Sequence, residues 1–149
     1  MITYKREKLN SKLIEEITPI LDVHRVELQA EDMRLNPDWE SYYLMDKMNK
    51  LVTLVARDDD NKIVGYSVYI VGNNMHYKDY LYAIEDVFYV VQDRRSTKIG
   101  YNLVKMSEEV LKGMNVDVIT HHAKFINTFA TFLERLGYRK IETMLSKRL

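Results

Sequence analysis

The chain reads as a mixed α/β (α+β) domain: a central, mostly antiparallel sheet with one parallel splayed pair and helices on both faces. Three observations predict this. The hydrophobic period is two from Leu51 to Arg57 and again from Ile63 to Val71, across the polar Asp58-Asp59-Asp60-Asn61-Lys62, which makes an antiparallel hairpin. It changes to helical spacing at Ile99, Leu103, Met106, Val110 and Leu111, stopped by Gly113. Apolar runs, Tyr80 to Val91 and Val116 to Thr120, flank that helix, and a strand, helix, strand unit demands a parallel pair with a right-handed crossover.

The remaining elements follow in order. Ile2 to Arg6 alternates apolar and polar residues, as a short first strand does. Asn10 or Ser11 caps a helix carrying Leu13, Ile14, Ile17, Ile20 and Leu21, and Pro19 inside it is expected to kink or divide it. Asn36-Pro37-Asp38 starts a second helix through Trp39, Tyr42, Tyr43, Met45 and Met48. Gly72-Asn73-Asn74 closes the hairpin. Asn127 to Leu136 is a helix with Gly137 as its stop, and Tyr138 to Lys147 reads as one or two closing strands.

Composition narrows the function classes. With 149 residues, 46% of them hydrophobic, residues 1–149 suit one domain. Lys plus Arg and Asp plus Glu number 22 each, so no net charge draws the chain to nucleic acid or an anionic membrane. There is no cysteine, which removes thiolate metal sites and a cysteine nucleophile. The first residues form no apolar leader, and no apolar run approaches the roughly 20 residues of a membrane span. A soluble, cytoplasmic protein is the expectation.

The stretch from Val87 to Val104 runs from strand through a polar turn into a helix. A helix N-terminus offers unpaired N–H groups and the positive end of a macrodipole, so it can cradle a phosphate. The turn, Gln92 to Lys98, also lies at the carboxyl end of a strand, where open α/β sheets place ligands.

Here the residues carry a resemblance. Val90-x-x-Asp93-x-Arg95-x-x-Lys98-Ile99-Gly100-x-x-Leu103 is similar to the acetyl-CoA loop of the GNAT N-acyltransferase superfamily, usually Arg or Gln, two residues, Gly, one residue, then Gly or Ala. Val64-Gly65-Tyr66 sits in a hairpin like the family's central one, and Phe132 to Tyr138 resembles its helix-to-strand junction. The closing string from Phe132 to Leu149 is similar to variants found in tailed-phage genomes. The resemblance implies a GNAT-like fold and acetyl transfer from acetyl-CoA to a primary amine by direct attack: a lysine side chain, a protein N-terminus, a polyamine or a small amine. The expected partners are acetyl-CoA and that acceptor, small molecule or protein, with no nucleic acid, no membrane, and room for a homodimer.

The same resemblance implies site residues. Amides of Arg95, Ser96, Thr97, Lys98 and on to Gly100 would hold the pyrophosphate, with Tyr101 at the far side of the loop. The backbone of Phe88, Tyr89 and Val90 would pair with the pantetheine arm, and Asn127 would meet the cofactor near its pantetheine or phosphate part. Two positions depart from the pattern. Lys98 replaces the first glycine, and Leu133 replaces the tyrosine that protonates the leaving thiolate, a role for which Tyr101, Tyr138 or water is left. Glu85 is the expected base, because Glu85-Asp86-Val87-Phe88 resembles the strand of the histone-acetylating branch, and an ammonium acceptor must lose a proton before it attacks. Strand alternation sends Asp86 to the opposite face, so only one of the two can face the acceptor.

Other residues have plainer readings. His121 and His122 face opposite ways on a strand end and lack companion ligands, so no metal site is expected. Trp39, Tyr42, Tyr43 and Met45 recur at helical spacing and suit a core, with a substrate wall as the alternative. Acceptor walls fall between Val23 and Lys50 and between Gly72 and Asp79, where Glu31, Asp32, Asp38 and Glu40 favour a cationic acceptor. A weakly active or inactive binding module on the same fold is the second hypothesis, supported by Lys98 and Leu133.

Overall fold

The computed structural model describes residues 1–28 and 33–149. Five strands, β1 (Thr3–Glu7), β2 (Leu51–Arg57), β3 (Ile63–Asn73), β4 (Leu81–Val90) and β5 (Val118–Thr120), form one sheet in chain order. β1 to β4 are antiparallel neighbours, and β4 and β5 are parallel. Four helices complete the fold: α1 (Ser11–Glu27), α2 (Trp39–Lys47), α3 (Ile99–Gly113) and α4 (Phe129–Arg135).

All seven residues of β2 are buried, because the sheet is covered on both faces there and each face has its own core. Val52, Leu54 and Ala56 join Val64, Tyr69, Ala83, Ile99, Leu103 and Leu111 under α3. Leu51 and Val55 join Leu9, Leu13, Ile17, Tyr66, Val68 and Tyr89 under α1. Trp39, Tyr42 and Met45 of α2 pack on this second core, whereas Tyr43 is 47% exposed. Three of the four thus behave as core.

One expectation is narrowed and one needs correction. Pro19 does not divide α1, which runs unbroken through it. The residue stands on an exposed face, where water can satisfy the carbonyl its missing N–H leaves free, and the Thr18 hydroxyl donates to the Ile14 carbonyl at 2.7 Å. The closing strands do not form either: residues 138–149 have no regular structure. The outer edge of the three-residue β5 takes no partner among the described residues, and Ile141, Met144 and Leu145 remain exposed. Smaller shifts are a β3 that runs on to Asn73, a β5 that begins at Val118, and an α4 that begins at Phe129.

Candidate active site

The geometry of the site starts with β4. The register between β3 and β4 slips from Val68↔Val87 to Tyr69↔Glu85, which leaves Asp86 as an extra, bulged residue. Strand alternation turns Glu85 and Asp86 to opposite faces, and the bulge leaves Asp86 and Val87 on the same one. Glu85 lies on the α3 side, opposite Tyr69, and is 4% exposed. Asp86 is exposed on the α2 side, where it accepts a 2.6 Å hydrogen bond from the Tyr42 hydroxyl. Burial and this bond together push the Tyr42 phenol well above its usual pKa.

β4 and β5 are paired only at Tyr82↔Val118, Ala83↔Ile119 and Ile84↔Thr120. Beyond Ile84 the strands part while β4 continues to Val90, so Phe88, Tyr89 and Val90 lie along one arm of a fork. The Val90 carbonyl is already occupied, since Arg95 donates to it through Nε at 2.8 Å.

At the end of that arm a single 3-10 turn, Gln92–Arg94, leads to α3. Every residue from Gln92 to Lys98 is exposed. Thr97 organises the turn, its hydroxyl donating to the Arg94 carbonyl at 2.6 Å and accepting from the Ile99 amide at 3.3 Å. Ser96, Lys98, Gly100 and Tyr101 donate no amide hydrogen bond among the described residues. These free amides ahead of a four-turn helix fit a phosphate. Lys98 has φ of −77°, an ordinary right-handed value, so the loop needs no glycine there. Gly100 does not obstruct either: a Cβ on it would come no closer than 3.8 Å to its nearest neighbour, the Val90 side chain. Gly65 is different, for a Cβ would stand 3.1 Å from both Leu103 Cδ1 and the Tyr89 carbonyl, so its bareness lets α3 settle on β3.

The vertex of the fork holds a pair that sequence reasoning missed. His121, immediately after β5, places Nδ1 2.9 Å from Glu85 Oε2, with the two side chains 2% and 5% exposed. His122 is exposed, as alternation requires. His121 is thus the buried partner of Glu85, a pairing the sequence did not announce. The inward placement of Ile119 on the same strand was the one available signal.

Tyr138 borders this pair. Gly137, at φ +96°, ends α4, with its amide bonded to the Glu134 carbonyl at 3.0 Å and the Tyr138 amide to that of Leu133 at 3.1 Å. That stop delivers the Tyr138 ring to 5.0 Å from His121. Its hydroxyl donates to Glu108 Oε1 at 3.1 Å, and burial, then the Glu108 charge, raise its pKa. The hydroxyl is thereby directed at α3. Leu133 is buried, Tyr101 is 45% exposed, and exposed Asn127 uses its side-chain oxygen to accept from the Phe129 amide at 3.1 Å. Of the acidic residues proposed for the acceptor wall, Glu31 and Asp32 lie outside the described residues, whereas Asp38 caps α2 by accepting from the Ser41 amide at 3.0 Å.

An exposed cradle of free amides, reached along a strand that has parted from its parallel neighbour, is the frame of an acyl-CoA-dependent N-acyltransferase. The chain belongs to the acetyltransferase (GNAT) family, whose profile matches residues 13–138, and acetyl-CoA is the family's acyl donor. No curated protein matches it by sequence. Solved structures share the fold at low identity. An aminoglycoside acetyltransferase from an uncultured soil metagenomic sample, in complex with trehalose, is 15% identical with a TM-score of 0.76, covering 99% of this chain and 96% of that one. A ribosomal-protein-alanine N-acetyltransferase from Brucella melitensis biovar Abortus is 17% identical with a TM-score of 0.72, covering 100% and 99%. A predicted acetyltransferase with acetyl-CoA from Clostridium acetobutylicum is 15% identical with a TM-score of 0.71, covering 99% and 96%. Among the described residues, no helix is long and apolar enough to cross a membrane.

Proposed function

We propose that the chain transfers the acetyl group of acetyl-CoA to a primary amine by direct attack, with the pyrophosphate on the amides between Arg95 and Gly100 and the pantetheine arm along Phe88 to Val90. The opening of the β4 and β5 pair beyond Ile84 is the observation that carries this, because an arm laid against β4 would complete the unpaired edge as an added strand does. Glu85 supplies the carboxylate of the base. A carboxylate excluded from water at the end of the fork is placed to assist proton removal from an ammonium acceptor. A cationic acceptor such as a lysine side chain, a protein N-terminus, a polyamine or an aminoglycoside suits that carboxylate.

The test is acetyl-CoA binding followed by thiol release. Acetyl-CoA at a thousand times its Kd is expected to stabilise the fold by about 4 kcal/mol. Incubation with a lysine peptide, an N-terminal peptide, spermidine and an aminoglycoside is then expected to release CoA thiol with at least one of them. Binding without thiol release from any of the four would favour the second hypothesis, an inactive binding module. No thermal shift would remove the acetyl-CoA site.

A further inference from the structure

Building on that acetyl-transfer reading, we infer that the atom which takes the acceptor's proton is Nε2 of His121, with Glu85 as the carboxylate that orients the ring. Glu85 and His121 are each the first residue beyond the last β4 to β5 pair, Ile84↔Thr120. The two therefore stand where the strands part, at the head of the arm along which the thioester would lie. Glu85 Oε2 is 2.9 Å from Nδ1. An ionised carboxylate only accepts, so Nδ1 carries the hydrogen and Nε2 of the neutral ring is left with its lone pair. That Nε2 is buried and has no hydrogen-bond partner among the described residues. Buried polar atoms in folded chains almost always have one, and the acceptor's N–H group supplies it here.

The ring is held from four sides. Tyr69 of β3 lies edge-on with its centroid at 5.6 Å, Phe88 of β4 at 6.3 Å, Phe129 of α4 at 5.9 Å and Tyr138 at 5.0 Å. The titratable groups facing it are Glu85 from β4, Tyr69 from β3 and Tyr138 after α4. From α3, Glu108 reaches the cluster through the Tyr138 hydroxyl and carries Lys105 on its other oxygen at 2.8 Å. Glu85 is thus the group that sets the tautomer, as a carboxylate does behind the histidine of a hydrolytic triad.

The step balances. The acceptor ammonium gives one proton to Nε2, and the freed nitrogen lone pair forms the bond to the thioester carbonyl carbon. The carbon to sulfur bond breaks, and the sulfur leaves as CoA thiol with a second proton from the same nitrogen. The imidazolium then releases its proton to solvent, which restores the neutral ring on Glu85. Glu85 acts through the ring and is a positioning residue in this scheme.

The experiment follows kcat/KM against pH with two amines of different pKa, so that an acid limb belonging to the enzyme stays in place while one belonging to the acceptor moves. Wild-type protein is expected to show an acid limb that stays in place between the two amines. His121→Gln is expected to lose that limb and at least about 100-fold in kcat, with KM for acetyl-CoA unchanged within about twofold. Glu85→Gln is expected to keep an enzyme-borne acid limb but lower kcat, since the ring remains while the carboxylate that orients it is lost. Nitrogen NMR of unmodified protein reads the tautomer directly, independently of whether a variant folds. Nδ1–H on His121 is expected, and Nε2–H overturns the assignment. Retention of rate and limb by His121→Gln, with loss of both in Glu85→Gln, moves the base to Glu85 and also overturns it. Wild-type protein that binds acetyl-CoA without releasing thiol brings down the functional reading, and this assignment with it.

Discussion

Arg95 donates through Nε to the Val90 carbonyl at 2.8 Å, so the arginine of the loop is tied back to the final residue of the strand that precedes it. Its Nη2 is paired with Glu27 at the end of α1, and its guanidinium lies 5.4 Å from the centre of the Tyr89 ring. One side chain thereby joins helix, strand and the turn before α3. Arg95→Ala is expected to raise the Kd for acetyl-CoA by about tenfold, the equivalent of roughly 1.4 kcal/mol for the loss of a charge-assisted hydrogen bond. Arg95→Lys is expected to restore little, because a lysine cannot serve both partners while lying flat on the ring. Calorimetric titration with acetyl-CoA decides, and an unchanged Kd in both variants would show that the loop holds its shape without the tie.

Gly65→Ala tests the seat of α3. The new methyl would stand 3.1 Å from the Tyr89 carbonyl and 3.2 Å from Ile99 Cγ2, and the backbone oxygen of a central strand cannot retreat. A loss of about 1 to 3 kcal/mol in urea unfolding is expected from this overpacking. Acetyl-CoA affinity should fall too, since Ile99 opens the helix that presents the free amides.

Arg57 is buried beneath α1 and holds two carboxylates, Glu7 through Nε at 2.7 Å and Glu16 through Nη2 at 2.7 Å. Arg57→Met leaves both without their partner, and a cost of roughly 3 kcal/mol is expected. The hydrogen bond from Arg57 holds the Glu16 carboxyl below its ordinary 4.5, against the opposing effect of burial. That contribution is present above pH 4.5 and lost as pH falls through the folded value, so wild-type stability should decline more steeply than that of Arg57→Met in acid. Urea midpoints from pH 7 to pH 3 measure the difference.

His24 gives the opposite case of a histidine kept neutral. Its ring packs 4.9 Å from that of Tyr89, and burial lowers its pKa below 6.5, with Glu27 acting against the shift. Above pH 6.5 both folded and unfolded chains carry it neutral. Below that value the unfolded chain binds the proton first, so stability falls until pH passes the lower folded value. His24→Gln is expected to flatten the decline between pH 7 and pH 5, and identical slopes for variant and wild type would contradict the assignment.

Much of the architecture was legible because it rests on period and punctuation. The α3 stripe of Ile99, Leu103 and Leu111, the hairpin across Asp58 to Lys62 and the stop at Gly137 are local signals, and each formed close to where it was expected. The pairing of Glu85 with His121 was not legible, because it joins residues 36 positions apart on strands whose parallel register no composition announces. Lys98 looked like a defect in a glycine pattern, yet its φ of −77° shows that amide presentation here does not depend on a positive φ. The tail failed for the reverse reason. Tyr138 to Lys147 carries scattered apolar residues, but none of them pairs with a neighbouring strand among the described residues, so no closing strand forms.

The chain-ordered sheet has a consequence for synthesis. β1 to β4 can be paired as soon as Val90 has left the ribosome, since each strand neighbours the one made before it. α3, β5 and His121 come later, so both the amide cradle and the second prong of the fork are built onto a meander that already exists. In a nascent chain paused before β5, the outer edge of β4 would lie open along its whole length, and a ribosome-bound chaperone that shields strand edges would act on this protein at that interval.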